Sequence, residues 1–219
     1  MAKQRDTHDF WFNQAKRDGY RSRAAYKLIQ IDDRRRVLRK GDCVLDLGCM
    51  PGSWLQVAGD RVGPKGQVWG IDLKQTNSHN LPEHVHILTG DAAHLEEAGL
   101  PGDLRFDAII SDMMSNTTGT RDTDHFRSMG VCELALWLCP RWLKPGGNLV
   151  MKVLEGAEMP RLLKDTKLRF AKVKPFKPEA SRSDSTEIFV VAHGYTGGAA
   201  HNDDAPDVAA GPPPAPEGW

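Results

Sequence analysis

What the chain lacks narrows the reading first. None of its 219 residues belongs to an apolar run approaching the length of a bilayer span, so no membrane partner is expected. Met-Ala-Lys-Gln-Arg-Asp at the start is not followed by a hydrophobic stretch, so no secretory signal is read there. Cysteine is scarce. Cys43, Cys49, Cys132 and Cys139 show no C-x-x-C spacing and read as reduced, mostly buried thiols of a cytoplasmic protein. His84 and His86 fall two apart without a third ligand nearby in sequence, so no metal is expected. The Gly-Lys-Ser/Thr of a P-loop is missing. So is the dinucleotide fingerprint G-x-G-x-x-G, because Met50 stands where its second glycine belongs. Net charge is absent too, with 29 Lys and Arg against 29 Asp and Glu.

That zero conceals an asymmetry. Residues 1–40 hold twelve Lys and Arg against five acids, and residues 161–182 hold eight against two. The stretch 196–219 has four acids and no Lys or Arg. Two basic segments on one domain can form a phosphate-binding surface, so a nucleic acid partner is expected.

What is present centres on residues 44–56. Val44, Leu45 and Leu47 suit a buried parallel strand, with Asp46 set into it where a carboxylate needs partners. Gly48 and Gly52 allow a tight turn and close approach of a ligand. Ser53 is positioned to cap a helix that carries Leu55, Val57 and Ala58. Strand, glycine turn and helix N-terminus make a nucleotide-sized cradle. A bulky Met50 with Trp54 beside it suits a flatter, less anionic ligand than a pyrophosphate, and S-adenosylmethionine fits that description.

Around this cradle the chain alternates. Residues 1–40 read as helical and basic, with Asp9-Phe10-Trp11-Phe12 as an aromatic anchor and Ser22 capping a helix from Arg23 to about Val37. Gln67–Ile71 reads as a strand closed by Asp72, whose carboxylate is placed to accept ribose hydroxyls. His84–Leu88 is a third strand. It leads to Asp91, which is either a contact for an adenine amino group or a helix cap. Phe106–Ser111 is a fourth strand, ending in Asp112. Residues 115–128 read as a mobile polar loop over the site, and Met129–Leu143 as an amphipathic helix stopped by Pro145-Gly146-Gly147. Asn148–Val153 is a fifth strand that embeds Lys152; Arg161–Phe170 is a helix; Lys172–Phe176 and Ile188–His193 are the last strands. No full helix fits between those two, so the last strand is expected antiparallel. The sum is an α/β, Rossmann-like doubly wound sheet of seven strands, mostly parallel, with helices on both faces and ligands at the strand carboxyl ends. The domain reading is a basic helical extension packed on the core (1–40), a catalytic domain (41–195) and a disordered acidic Pro/Ala/Gly tail (196–219).

Several short stretches then carry a resemblance. Ser-Arg-Ala-Ala-Tyr-Lys-Leu at 22–28, Asp-Leu-Gly at 46–48, Pro-Gly at 51–52 with Trp54, Ser-Asp-Met at 111–113, Met-Lys-Val at 151–153 and Ser-Thr-Glu-Ile at 185–188 resemble the FtsJ family of S-adenosylmethionine-dependent RNA 2′-O-methyltransferases. The resemblance spans about residues 10–195. It implies the class I methyltransferase fold and a Lys-Asp-Lys-Glu tetrad falling on Lys27, Asp112, Lys152 and Glu187. It implies cofactor contacts at Gly52, Trp54, Asp72, Asp91 and Asp112. It also implies a uridine of large-subunit 23S ribosomal RNA as substrate, within the large ribosomal subunit, and a monomeric enzyme. Transfer RNA or another RNA is the alternative, as is a non-catalytic RNA-binding protein of the same fold. The chain departs from the family pattern at Cys49, Met50, Ser53, Met114 and Ser115, around the cradle and the loop.

The residue types suit the reaction. Methyl transfer from a sulfonium is an in-line displacement, so much of the catalysis is positioning. A ribose 2′-hydroxyl must lose its proton as it attacks, and a neutral amine can accept it. A second lysine and burial favour the neutral amine, and carboxylates oppose it while orienting it. Lys152 is therefore read as proton acceptor, Lys27 as a hold on substrate phosphate or ribose, and Glu187 as an orienter. Asp112 would face both cofactor and acceptor. Amino-directed base methylation would show Pro-Pro-aromatic after the fourth strand, where Asp112-Met113-Met114 stands instead.

Overall fold

The computed structural model describes residues 2–114, 118–182 and 184–197, with side chains from Phe10 onward. The elements are α1 (Ala2–Arg17), α2 (Ala25–Arg35), β1 (Cys43–Leu47), α3 (Ser53–Val62), β2 (Gln67–Asp72), β3 (Val85–Thr89), β4 (Phe106–Ser111), α4 (Arg121–Trp142), β5 (Leu143–Leu154), α5 (Met159–Lys167), β6 (Phe170–Phe176) and β7 (Glu187–Tyr195). A short 3-10 turn, Ala92–His94, follows β3.

All seven strands form one sheet in the order β3-β2-β1-β4-β5-β7-β6. β3, β2, β1, β4 and β5 pair in parallel, and β7 runs antiparallel to both β5 and β6. The expected antiparallel last strand is thus present. The order reverses at β1 and β4, which leaves a crevice at their carboxyl ends.

The central strands are mostly apolar because both faces are covered. On one face Ala25, Leu28 and Ile31 of α2 and Leu55, Ala58 and Val62 of α3 pack on Val44, Ile110, Val150 and Phe189. On the other, α4 and α5 cover Leu45, Ile109, Leu149 and Val190. Asn148 joins strand to helix: its amide donates to the Val37 carbonyl (2.8 Å) and its oxygen meets His193 Nδ1 (3.0 Å). Asp32 closes the end of α2 by accepting from the amides of Val37 and Leu38.

Some local expectations are corrected. Ser53 is the first residue of α3 and does not cap it; Gly52 holds the cap position at φ 103°, and the Ser53 hydroxyl accepts instead from Ser22. Ser22 likewise does not cap α2, which starts at Ala25; its hydroxyl accepts from Ala24 N, two residues on. Of the aromatic cluster only Trp11 anchors, stacking on Tyr26 at 4.9 Å, while Phe10 and Phe12 are exposed. The loop assigned to 115–128 is shorter. Residues 121–128 are already helical, because Asp124 accepts from Thr118 N and Gly119 N and closes the turn before α4. Residues 115–117 lie outside the described residues, as does the tail from 198 on.

Pro140 lies inside α4 and cannot donate to the Leu136 carbonyl; Arg169 Nη1 reaches in to donate there (2.9 Å). Pro145-Gly146-Gly147 does not precede β5 but belongs to it. Phe106 pairs with Leu143 and Ala108 with Asn148, so the three residues are absorbed as a bulge, with Gly146 at φ 81°.

Candidate active site

Four buried or half-buried ionisable side chains meet at the carboxyl end of β4 and β5, on the sheet face that α2 covers. Lys152 on β5 points to the end of β4, where its Nζ donates to the Asp112 carbonyl oxygen (2.6 Å) and contacts the Asp112 carboxylate (2.8 Å). Lys27 in the first turn of α2 reaches the start of β7 and grips Glu187 with both carboxylate oxygens, at 2.8 and 2.9 Å. Lys152 pairs in register with Phe189, and Lys27 Nζ lies 5.8 Å from the Phe189 ring centre, so one aromatic floors both amines. Burial pushes the Asp112 carboxyl up, but Lys152 and then Lys27 outweigh it and hold it below its ordinary range. The two ion pairs therefore adjoin. Residues 27, 112, 152 and 187, far apart in sequence, are brought together.

Behind Lys152 the chain is buttressed. Cys132 Sγ donates to the Lys152 carbonyl (3.1 Å). Past the strand, His125 Nδ1 meets the Leu154 carbonyl (2.8 Å) while its Nε2 accepts from the Glu158 amide (3.0 Å), which fixes the tautomer. Gly156 is required there, since a Cβ would lie 2.4 Å from the imidazole.

The cradle lies at the ends of β1 and β2. Gly48 turns at φ 73°, and a Cβ there would sit 2.3 Å from Met113 Cγ. Asp72 accepts from the Met50 amide (2.9 Å) and from the Lys74 amide (2.9 Å), so its carboxylate ties the cradle turn to the end of β2. Asp91 accepts from the Ala93 amide (2.8 Å) and caps the 3-10 turn. Trp54 is buried; its Nε1 donates to the Ala24 carbonyl (2.8 Å), and its ring packs 5.8 Å from Phe189, so its indole supports the floor beneath the amines.

Asp46 stands apart from these. Only 1% of it is exposed, and neither carboxylate oxygen has a hydrogen-bond partner among the described residues. Burial, then Asp112, then Asp72, push its carboxyl well above the ordinary value of 3.8. Among the described residues no lysine or arginine forms an ion pair with Asp46, Asp72 or Asp91. Among the described residues the acids of the inner end thus have no ion-pair partner, whereas Lys27 and Lys152 at the rim each have an acid.

One residue escaped the sequence reading. Arg21 lies across the cradle: Nη1 donates to the Pro51 carbonyl (2.9 Å) and the Asn77 carbonyl (2.8 Å), and Nη2 to the Asn77 side chain and the His79 carbonyl. Its backbone amide is held by Gln56 (2.9 Å). Gly52 beneath it turns at φ 103°, a conformation other residues rarely adopt, and a Cβ there would displace the Arg21 guanidinium. No local signal marks such a clamp, since its acceptors are backbone carbonyls far away in sequence.

Strand order, the reversed last strand and a crevice at the β1–β4 switch point define a Rossmann-like methyltransferase fold. The model of the FtsJ-like methyltransferase family matches residues 20–195, and the chain belongs to that family. It is 39% identical over 196 residues to the ribosomal RNA large subunit methyltransferase E of Pseudomonas fluorescens, covering 88% of this chain and 93% of that protein. It is 44% identical over 185 residues to the protein of the same name from Syntrophobacter fumaroxidans, covering 84% and 93%. Among solved structures it is similar to a protein described as a ribosomal RNA methyltransferase from Plasmodium falciparum, with TM-score 0.72, 28% identity and coverage of 81% of this chain and 100% of that one.

Proposed function

We propose that this protein methylates a ribose 2′-hydroxyl in large-subunit ribosomal RNA, with S-adenosylmethionine as donor. The observation that carries the reading is the junction of the Lys152–Asp112 and Lys27–Glu187 pairs beside a buried Asp46 carboxylate that has no partner among the described residues. The residues fit the donor. Asp46 is an orphaned buried carboxylate, suited to a ligand with positive groups, and the turns at Gly48 and Gly52 bring backbone rather than side chain to the crevice. Gly52, Trp54, Asp72, Asp91 and Asp112 would hold it, Trp54 through the backbone at the start of α3. When bound, the cofactor supplies a methyl group on a sulfonium.

The chain's own residues do the rest. Lys152 Nζ, held by Asp112, orients the acceptor hydroxyl; once its ammonium has given a proton to solvent, the neutral amine takes the hydroxyl proton as the displacement proceeds. Lys27, fixed by Glu187, holds the sugar-phosphate next to it. Asp112, half-buried between rim and crevice, keeps hydroxyl and donor in line. Residues 41–195 would carry the chemistry and the basic residues 1–40 would help to grip RNA. The working unit would be one copy acting in the cytoplasm on the large subunit. Among the described residues no helix is long and apolar enough to cross a membrane.

The test is to incubate the purified chain and S-adenosylmethionine with large ribosomal subunits, and separately with their stripped RNA and with bulk transfer RNA, and to map ribose methylation. A single 2′-O-methyl uridine in the large-subunit RNA is expected. Methylation confined to transfer RNA, or to a base, would refute the proposal.

A further inference from the structure

Resting on that reading, we propose that the seam between α2 and the edge strand β6 is a second RNA-binding track, on which the phosphates of the strand next to the target nucleotide lie. Its cations come from both basic segments of the sequence, which the fold brings to one face. Arg35 at the end of α2 stacks its guanidinium 5.4 Å from the Phe176 ring centre on β6 and donates toward the Pro175 carbonyl (3.5 Å). Higher up, Arg23 donates to the Ala180 carbonyl (3.0 Å), and Gln30 accepts from the Ala180 amide (3.0 Å). Helix and edge strand thus meet at Arg35, and the loop after β6 meets the start of α2 at Ala180.

The register decides which side of β6 faces this seam. Phe176 pairs with Phe189, Lys174 with Val191 and Lys172 with His193. Directly paired residues project to the same face. Phe189 and Val191 pack under α2 and α3, so Lys172, Lys174 and Phe176 are on that face too. It is also the face of Lys152, which pairs with Phe189. Lys172 and Lys174 are exposed, because α2 covers β5 and β7 but stops short of the edge. Burial, then the cations Lys172, Arg35 and Arg39, hold His193 below its ordinary value. Among the described residues none of Arg35, Lys172 and Lys174 forms an ion pair with a carboxylate. The row from Lys172 to Phe176 spans about 13 Å at roughly 3.3 Å per strand residue. That is the rise of about four stacked nucleotides at ~3.4 Å each. It ends level with Lys152.

Edge strands also carry lysine and proline simply to block pairing with another sheet. That role asks nothing of α2, whereas here Arg35 adds a cation to the same groove. Phosphate binding needs all of them together.

The experiment compares two charge-reversed forms of the full chain. Lys172→Glu/Lys174→Glu alters the seam. Lys164→Glu/Lys167→Glu makes the same change in net charge on exposed positions of α5, across the sheet. Affinity for stripped large-subunit RNA is measured from ~50 to ~200 mM salt, with methyl transfer at saturating RNA and cofactor affinity alongside. For the seam variant the expected result is an RNA Kd raised on the order of tenfold. The slope of log Kd against log salt should be shallower by about one to two. Turnover at saturating RNA and cofactor affinity should stay within about twofold, and the α5 variant should match wild type. Lys172→Gln/Lys174→Gln, matched to wild type in thermal unfolding, should give a smaller shift in the same direction and guards against misfolding as the cause. Equal losses in the seam and α5 variants, or an unchanged Kd and slope in the seam variant, would overturn the track. Wild type that neither binds nor methylates this RNA would instead overturn the proposed function.

Discussion

The two ends of the crevice follow opposite electrostatic rules. At the rim, Lys27 meets Glu187 and Lys152 meets Asp112, each pair under about one-fifth exposed and each at 2.8 Å. At the inner end, among the described residues, Asp46, Asp72 and Asp91 have no ion-pair partner, and neither Asp46 carboxylate oxygen has a hydrogen-bond partner. A paired end is complete in the protein alone and can hold its geometry before substrate arrives. An unpaired buried carboxylate is costly and is expected where a ligand completes the set. The contrast separates the part of the site built for positioning from the part built for capture.

Predictions that break this contrast begin with the rim. Lys152→Ala removes the proposed proton acceptor and should lower single-turnover methylation by about 10²–10⁴-fold while leaving cofactor affinity near wild type. Near-normal turnover would show that the proton goes elsewhere. Glu187→Ala strands Lys27 in a buried position and should destabilise the fold by about 3 kcal/mol in urea unfolding. The paired change Lys27→Met/Glu187→Met should restore most of that stability without restoring activity, and a double variant no more stable than Glu187→Ala would show that the pair is not a unit.

At the inner end the sign reverses. Because the folded Asp46 carboxyl is raised above 3.8, the folded form retains a proton that the unfolded form has lost. The ligand-free protein should therefore lose stability as pH rises from about 4 through the raised value. Asp46→Asn should flatten this part of the Tm-against-pH curve and weaken S-adenosylmethionine binding; a slope equal to wild type would assign the pH dependence to other groups. Arg21→Met should have the smallest effect. Loss of the clamp over Pro51, Asn77 and His79 should raise the cofactor KM on the order of tenfold with kcat within about twofold, and Arg21→Lys should recover part of it. An unchanged KM in calorimetry and kinetics would leave Arg21 without a role in the cradle.

Much of this was readable because the signals are local. Phe106–Ser111 has the same ends in sequence reading and structure, since its Ala108-Ile109-Ile110 core is short and bounded by polar residues. Lys172–Phe176 and Ile188–His193 pointed to a hairpin because too few residues separate them for a crossover helix, and β6 and β7 pair antiparallel. The misreadings arose where a distant partner outweighed local preference. Ser22 and Ser53 looked like caps, but their hydroxyls found each other across 31 residues. Pro145-Gly146-Gly147 looked like a break, but the long pairing of β5 with β4 and β7 absorbed it. Residues 121–128 looked like loop because they are polar, but Asp124 closes the turn before them and the helix starts early.

The sequence by itself determined the alternation of strands and helices and the glycine turn after β1, which depend on residue type, spacing and chain length, all acting over a few neighbours. The four ionisable groups that one reaction can use came from the resemblance of short motifs to a known family. Only the tertiary structure decided that those groups form two ion pairs rather than one cluster, that Asp46 is left without a partner, and that Arg35 and Lys174 share a seam. Charge pairing and burial are set by separations of a few ångströms between residues 40 to 160 positions apart, and packing alone fixes those.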